Sequence, residues 1–252
     1  EISKKEKQLK EFAQVEQELE LAREIQQRII PQTYPNCEQL DVYGSCISAS
    51  EVGGDYLDVF KTECHKYTVF IMADVSGHGF ASALVSMQFR SLARMELIKG
   101  SKDFGKEIER INNVFSDDNE SSSMFITALF LRYNHETEIM ESVNAGHFDP
   151  LHTPKLEHTP LTKGIPLGIQ SGLPYGVISA PFQSGDNLFL YTDGIIECEN
   201  ENGTMYGNRL NGLYDVIQNY PVKKQIQVIL EAFHGFIHEQ NDDVTILAIK
   251  AK

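Results

Sequence analysis

The chain is 252 residues long, 41% hydrophobic and 23% charged, a composition that can bury a core and excludes disordered, collagen-like and purely coiled-coil architectures. Its 36 acidic side chains outnumber 22 basic ones, leaving a formal charge of −14 that repels nucleic-acid phosphates and anionic membrane surfaces alike. No apolar run approaches the ~20 residues of a membrane-spanning helix, and Cys37, Cys46, Cys64 and Cys198 form neither a C-x-x-C pair nor a disulfide framework, so the expectation is reduced thiols in a cytoplasmic protein with no nucleic-acid partner and no membrane contact by this segment.

Between Lys4 and Ile30 there is no Gly or Pro, and Phe12, Val15, Leu19, Ala22, Gln26 and Ile29 recur at alternating spacings of three and four. That is a heptad seam of about two and a half repeats, short of a full coiled-coil signature. Two readings stand: a stalk over residues 1–31 that pairs two chains into a homodimer and transmits from an upstream sensor or receiver domain, or an amphipathic helix packed on its own domain. The chain opens on Glu inside this pattern and reads as a piece of a longer protein. Pro31 ends the helix, and residues 31–36 are turn-rich.

From residue 37 the character changes to short alternating or apolar runs bounded by Gly, Asn, Asp or Pro, the pattern of strands. These run Leu40 to Ser48, Tyr56 to Thr62, Lys66 to Ala73, Phe125 to Tyr133, Thr137 to Val143, Gly176 to Ala180, Asn187 to Tyr191 and Thr245 to Ile249. Helical periodicity joins Ala81, Leu84, Val85, Gln88, Leu92 and Met95, is weaker over Phe104 to Phe115, and returns as the stripe Val222, Ile226, Ile229, Leu230, Phe233 and Ile237. The polar run Ser116 to Ser123 reads as a loop. Strands come in adjacent groups, which predicts an α+β fold with antiparallel sheet instead of a doubly wound one.

Four aspartates fall where a strand ends or a turn begins: Asp55 in Glu51-Val-Gly-Gly-Asp-Tyr, Asp74 in Met72-Ala-Asp-Val-Ser-Gly-His-Gly, Asp193 in Tyr191-Thr-Asp-Gly, and Asp242 in the pair Asp242-Asp243. Each would stand at a sheet rim, and Asp55 and Asp193 adjoin glycines that allow close backbone approach. An all-carboxylate set suits Mg²⁺ or Mn²⁺ better than zinc, and like charges so grouped call for a cation.

The ordered set resembles the metal-dependent protein phosphatase (PPM/PP2C) superfamily, specifically its bacterial sporulation and stress-response branch, whose members act in partner-switching pathways. The residues that carry the resemblance are Glu51-Val-Gly-Gly-Asp-Tyr-Leu-Asp, Asp74-Val-Ser-Gly-His-Gly with Ala81, Ala83 and Leu84, Asn144-Ala-Gly-His, Gly164-Ile-Pro-Leu-Gly-Ile, Tyr191-Thr-Asp-Gly-Ile-Ile-Glu with Gly207, and Asp242-Asp-Val-Thr-Ile-Leu. It extends from about Leu21 to Lys250 and includes Ala22-Arg-Glu-Ile-Gln before Pro31. The resemblance implies two stacked antiparallel sheets flanked by helices, an α-β-β-α sandwich over residues 37–252, with two Mn²⁺ or Mg²⁺ ions at one end. Asp55, Asp74, Asp193 and Asp242 match the family's metal-binding carboxylates, Val75 its carbonyl ligand, and Asp243 a supporting position. It further implies hydrolysis of phosphoserine or phosphothreonine, by a water bridging the metals, on a regulator resembling an anti-anti-sigma (STAS-domain) phosphoprotein.

Several residues keep two readings. His78 could protonate the leaving alkoxide or cap the helix near Phe80, since it stands four residues after Asp74 where eukaryotic members place a His two residues after. His147 reads as a hydrogen-bonding residue in a turn between two antiparallel strands, and Gly164 to Ile169 as a loop at the rim. Cys64 beside His65 reads as a strand pair on opposite faces, without a nucleophile's surroundings. The Asp74 loop lacks the Lys and spacing of a nucleotide loop. No Arg can be assigned to grip the substrate phosphate, which points to a folded phosphoprotein as substrate. The competing function is a catalytically silent interaction module of the same fold.

Overall fold

The computed structural model describes residues 2–31, 33–120, 122–153 and 164–252. Two antiparallel sheets stack face to face, one of four strands and one of five. The four-stranded sheet has the order β1 (Leu40–Ile47), β9 (Val244–Ala251), β8 (Asn187–Tyr191), β6 (Leu151–Thr153). The five-stranded sheet has the order β2 (Tyr56–Lys61), β3 (Tyr67–Val75), β4 (Ile126–Asn134), β5 (Ile139–Ala145), β7 (Ile178–Pro181). Helices α2 (Phe80–Leu97) and α3 (Phe104–Asp118) cover the outer face of the larger sheet, while α5 (Gly207–Ile217) and α6 (Val222–His234) cover that of the smaller. Helix α1 (Ile2–Ile29) precedes the sheets, and α4 (Asp193–Glu197) is a single turn after β8.

The period-two rule of strands explains the layering. On β3, Val69, Ile71, Ala73 and Val75 pack beneath α2 and α3, while Phe70 and Met72 point between the sheets. On β9, Val244, Ile246 and Ala248 face α5 and α6, while Leu247 and Ile249 point inward. Both faces of these strands are buried, so they read as continuous apolar runs. Phe89 of α2 anchors the outer layer, with its ring edge-on to Tyr56 at 5.7 Å and to Phe130 at 6.1 Å.

Charge is also buried on the helix-facing side of the larger sheet. Arg132 of β4 lies between the rings of Phe104 and Tyr67 at 4.4 and 4.5 Å. Its guanidinium donates to Glu107 at 3.0 Å, to Glu141 at 2.8 Å and to the Ser101 carbonyl at 2.6 Å. Arg94 of α2 forks onto Asp58 of β2 at 2.6 and 2.8 Å. Both knots tie a helix to its sheet.

Helix α3 starts on an N-cap, Asp103, that accepts the Lys106 N–H at 3.0 Å. It runs on to Asp118, so the segment read as a loop from Ser116 begins as helix, because Phe115 buries beneath it and carries the turn along. Cys64 and His65 sit in the turn between β2 and β3, not on a strand, and His65 takes a φ of 55°. Among the described residues no helix is long and apolar enough to cross a membrane.

Candidate metal centre at the rim of the two sheets

The site is the wet end of the inter-sheet core. Strands β2 and β3 pair with Tyr56 opposite Ala73, so Asp55, one step before β2, faces Asp74 at the end of β3. Strands β8 and β9 pair with Tyr191 opposite Ile246, so Thr192 faces Thr245, with Asp193 and Asp243 just beyond. Alternation then decides orientation. Asp55 continues the inward series of Leu57 and Val59, Asp74 that of Phe70 and Met72, Thr192 that of Leu188 and Leu190, and Asp243 with Thr245 that of Leu247 and Ile249. Where the sheets enclose apolar side chains along their length, they enclose oxygen at this end.

Asp55 is 3% exposed. Its carboxylate accepts the Thr192 hydroxyl at 2.9 Å, and that hydroxyl accepts the Thr245 N–H at 2.9 Å, so one side chain joins the two sheets. Asp243 uses its carboxylate on backbone, accepting Ala49 N–H at 2.9 Å and Gly54 N–H at 2.7 Å. These are the supporting bonds the sequence suggested for it. Asp242 is exposed and accepts the Asp243 N–H at 2.8 Å. Asp193 opens the single turn of α4. A Cβ on Gly194 would overlap the Asp243 carbonyl, so only glycine lets the β8 and β9 rims approach this closely.

The electrostatics are one-sided. Burial, then the charges of Asp193, Asp242, Asp243 and Glu197, push the Asp74 carboxyl up to about 8. Burial and Asp74 raise Asp55, while burial followed by Asp242 and Glu197 raises Asp193. No Lys or Arg stands among the groups that shift these carboxylates. Such a cluster takes up protons or cations to relieve its repulsion.

The groups at this rim that could hold a cation are carboxylates and the Val75 carbonyl at the end of β3, all hard oxygen of the kind that suits Mg²⁺ or Mn²⁺. Among the described residues no three His, Cys, Asp or Glu side chains stand close enough to form a cage by themselves.

Other motif residues fall around the rim. His147 is buried, its Nδ1 lies 3.0 Å from the Thr127 hydroxyl, and burial pushes its imidazole down to about 4. Its segment does not turn between paired strands. It carries the chain from β5 in one sheet to β6 in the other, with the Asn144 side chain accepting the His147 N–H at 2.8 Å. Leu167 pairs with Ile126 across a β-bridge. His78 is exposed, and α2 starts from Gly79 without a side-chain cap, so it does not serve as the cap. Sequence reasoning assigned no role to Thr192, although the alternation from Leu188 pointed it inward, nor to Glu197, whose place four residues after Asp193 puts it on the same helix face.

Comparisons with known proteins agree with this architecture. The family model of Stage II sporulation protein E (SpoIIE) matches residues 65–252. Phosphoserine phosphatase RsbP of Bacillus subtilis is 28% identical over 242 residues, covering 91% of this chain and 57% of its own length. Phosphoserine phosphatase RsbU of the same organism is 26% identical over 247 residues, covering 95% of this chain and 71% of its own. The chain therefore spans little more than half of the first and about two thirds of the second. The SiaA-PP2C domain of Pseudomonas aeruginosa superposes with a TM-score of 0.81 at 19% identity, covering 94% of this chain and 97% of that one. The fold is that of the SiaA PP2C domain, and the chain belongs to the SpoIIE family.

Proposed function

We propose that this chain hydrolyses phosphoserine or phosphothreonine on a folded regulatory protein, with two Mn²⁺ or Mg²⁺ ions held by Asp55, Asp74, Asp193, Asp242 and the Val75 carbonyl. The observation that carries the reading is the convergence of carboxylates at the rim where the two sheets meet, with no Lys or Arg of the described residues among the groups that shift them. Bound divalent cations supply charge to offset the phosphoryl oxygens and lower the pKa of water. The chain's own residues do the holding. Thr192 fixes the Asp55 carboxylate, Asp243 fixes the loop that leads into Asp55, and Gly194 allows Asp193 to approach.

The substrate follows from what grips it. Arg94 is engaged with Asp58 and Arg132 is buried behind β4, so neither is free to grip a phosphate, and the reading places selectivity on the docking surface of a folded partner. The names of RsbP and RsbU support a phosphoserine protein as that partner, in the manner of an anti-anti-sigma (STAS-domain) regulator in the cytoplasm. The leading helix would join residues 37–252 to an upstream sensor or receiver domain and pair two chains.

The test is phosphate release from phosphorylated regulator domains, with Mn²⁺ titrated against EDTA beside the Asp74→Asn protein. Turnover that requires metal and disappears in the variant is the expected result. Metal binding without release from any phosphoprotein transfers the weight to a silent interaction module.

A further inference from the structure

One lateral edge of the sandwich is formed by β7 in the larger sheet and β6 in the smaller, and the register there decides what points between the sheets. Residues directly opposite on paired strands share a face. Leu131 of β4 points inward and pairs with Ser142, which pairs in turn with Ile178. The next inward row is Tyr133, Met140 and Ala180. The smaller sheet answers with Leu188 and its partner His152, and β6, three residues long, sends no other side chain inward. A serine and an alanine thus stand where sheets about 10 Å apart need large side chains.

The layer is left incompletely filled. A cavity of about 220 Å³ lies between the sheets, walled by Leu131, Met140, Ile178, Phe182 and Leu188 around Ser142. An apolar cavity of about 150 Å³ takes up benzene, so this one has room for a single ring with one substituent. The Met140 thioether and the Phe182 ring favour an aromatic guest. Asp149 and His152, also on the lining, already have partners. Ser142 differs: it is buried, and its hydroxyl makes no hydrogen bond to another described residue. That hydroxyl both donates and accepts, and leaving it unpaired against carbon is costly. A charged guest would lose its hydration against the same carbon wall.

We propose that the cavity between β5, β7, β6 and β8 is a binding site for a small neutral molecule, one aromatic ring bearing a single hydrogen-bonding group, with that group on the Ser142 hydroxyl. The site is separate from the rim of aspartates. Thr127, which pairs with Asp74, stands four residues along β4 from Leu131, about 13 Å of strand. The proposal therefore holds or fails independently of the cation reading.

The experiment titrates the whole chain with phenol and, separately, with benzene, following the methyl resonances of Met140, Ile178 and Leu188 together with the melting temperature. Both probes should shift these methyls saturably and raise the melting temperature by mass action, while the methyls of Ile226 and Ile229, on the far side of the smaller sheet, stay in place. Ser142→Ala should weaken phenol about tenfold, the cost of leaving one hydroxyl unpaired, and leave benzene unchanged. Ala180→Leu fills the cavity from β7 and should abolish both. Ser142→Val fills it from β5 and should do the same, so a folding failure of either leaves the other to decide. The proposal is overturned if phenol gives no saturable shift in the wild-type protein, if Ser142→Ala weakens phenol and benzene alike, or if a folded filling variant binds as wild type does.

Discussion

The two faces of the five-stranded sheet bury acid in opposite ways. On the helix-facing side, Asp58 is met by the fork of Arg94, and Glu107 and Glu141 by Arg132. Three residues before Asp58, an odd step along the strand and so on the other face, Asp55 has acidic neighbours in Asp74 and Asp243. Burial raises Glu107 to about 7, yet the Arg132 and Arg110 charges pull against the shift. The charges that act most on Asp74, those of Asp193, Asp242, Asp243 and Glu197, all push it further up. An acid that the chain neutralises from within holds two elements together. An acid cluster with no cation of its own is a place where the solution must supply one.

Neutralising one acid of the rim therefore has two consequences of opposite sign. Asp74→Asn should reduce phosphate release by about 10³-fold, the several kcal/mol that a bound cation contributes. The same change should stabilise the metal-free protein at alkaline pH. The Asp74 carboxyl is raised from 3.8 to about 8, so its contribution to stability is fully present below pH ~4 and is lost as pH rises through ~8. Wild-type protein in EDTA should then melt progressively lower from pH 5 to 8.5, and Asp74→Asn should melt higher than wild type at pH 8. Added Mn²⁺ should remove most of the wild-type decline. A variant that melts lower than wild type in EDTA at pH 8 breaks the comparison.

On the opposite face the sign reverses. Arg132→Met leaves Glu107 buried without its guanidinium, and removing one partner of a buried pair costs about 3–5 kcal/mol. The loss is read from urea unfolding. A cost under about 1 kcal/mol, the range of an exposed pair, would mean that Glu107 is held neutral and that the two faces differ less than their contacts suggest.

How much of this could be read from the sequence divides along the same physical line. The layers were legible because alternation along β3 and β9 is a local property, and the aspartates because strand-to-turn boundaries are local too. The element α5 was not, since Gly207, Asn208, Asn211 and Gly212 dilute its helical signal and it forms only because Leu210, Tyr214 and Ile217 bury against the neighbouring layer. Strand β6 has three residues, paired through β8, and α4 is one turn, so neither offers a periodicity to detect. At the site, the ends of the motifs were visible and their connections were not. Nothing local in the sequence says that Gln26 meets Gly53 or that Ala49 meets Asp243, because those contacts exist only once the sheets have closed.

Thr192 lies between the two regimes, a neutral group that the chain supplies to a charged site. It is fully buried, donates to Asp55 at 2.9 Å and accepts from Thr245 at 2.9 Å. Thr192→Val keeps the shape and removes both bonds, leaving the Thr245 N–H and one Asp55 oxygen unanswered. That should cost about 1–3 kcal/mol in urea unfolding and weaken Mn²⁺ about tenfold, since the hydroxyl orients a proposed ligand. Thr192→Ser retains the hydroxyl and loses one methyl, so it should recover most of the Mn²⁺ affinity while still losing about 1 kcal/mol of packing. Equal Mn²⁺ affinity in the Val and Ser proteins would show that burial alone sets Asp55. A difference between them locates the control in one hydroxyl that spans the two sheets.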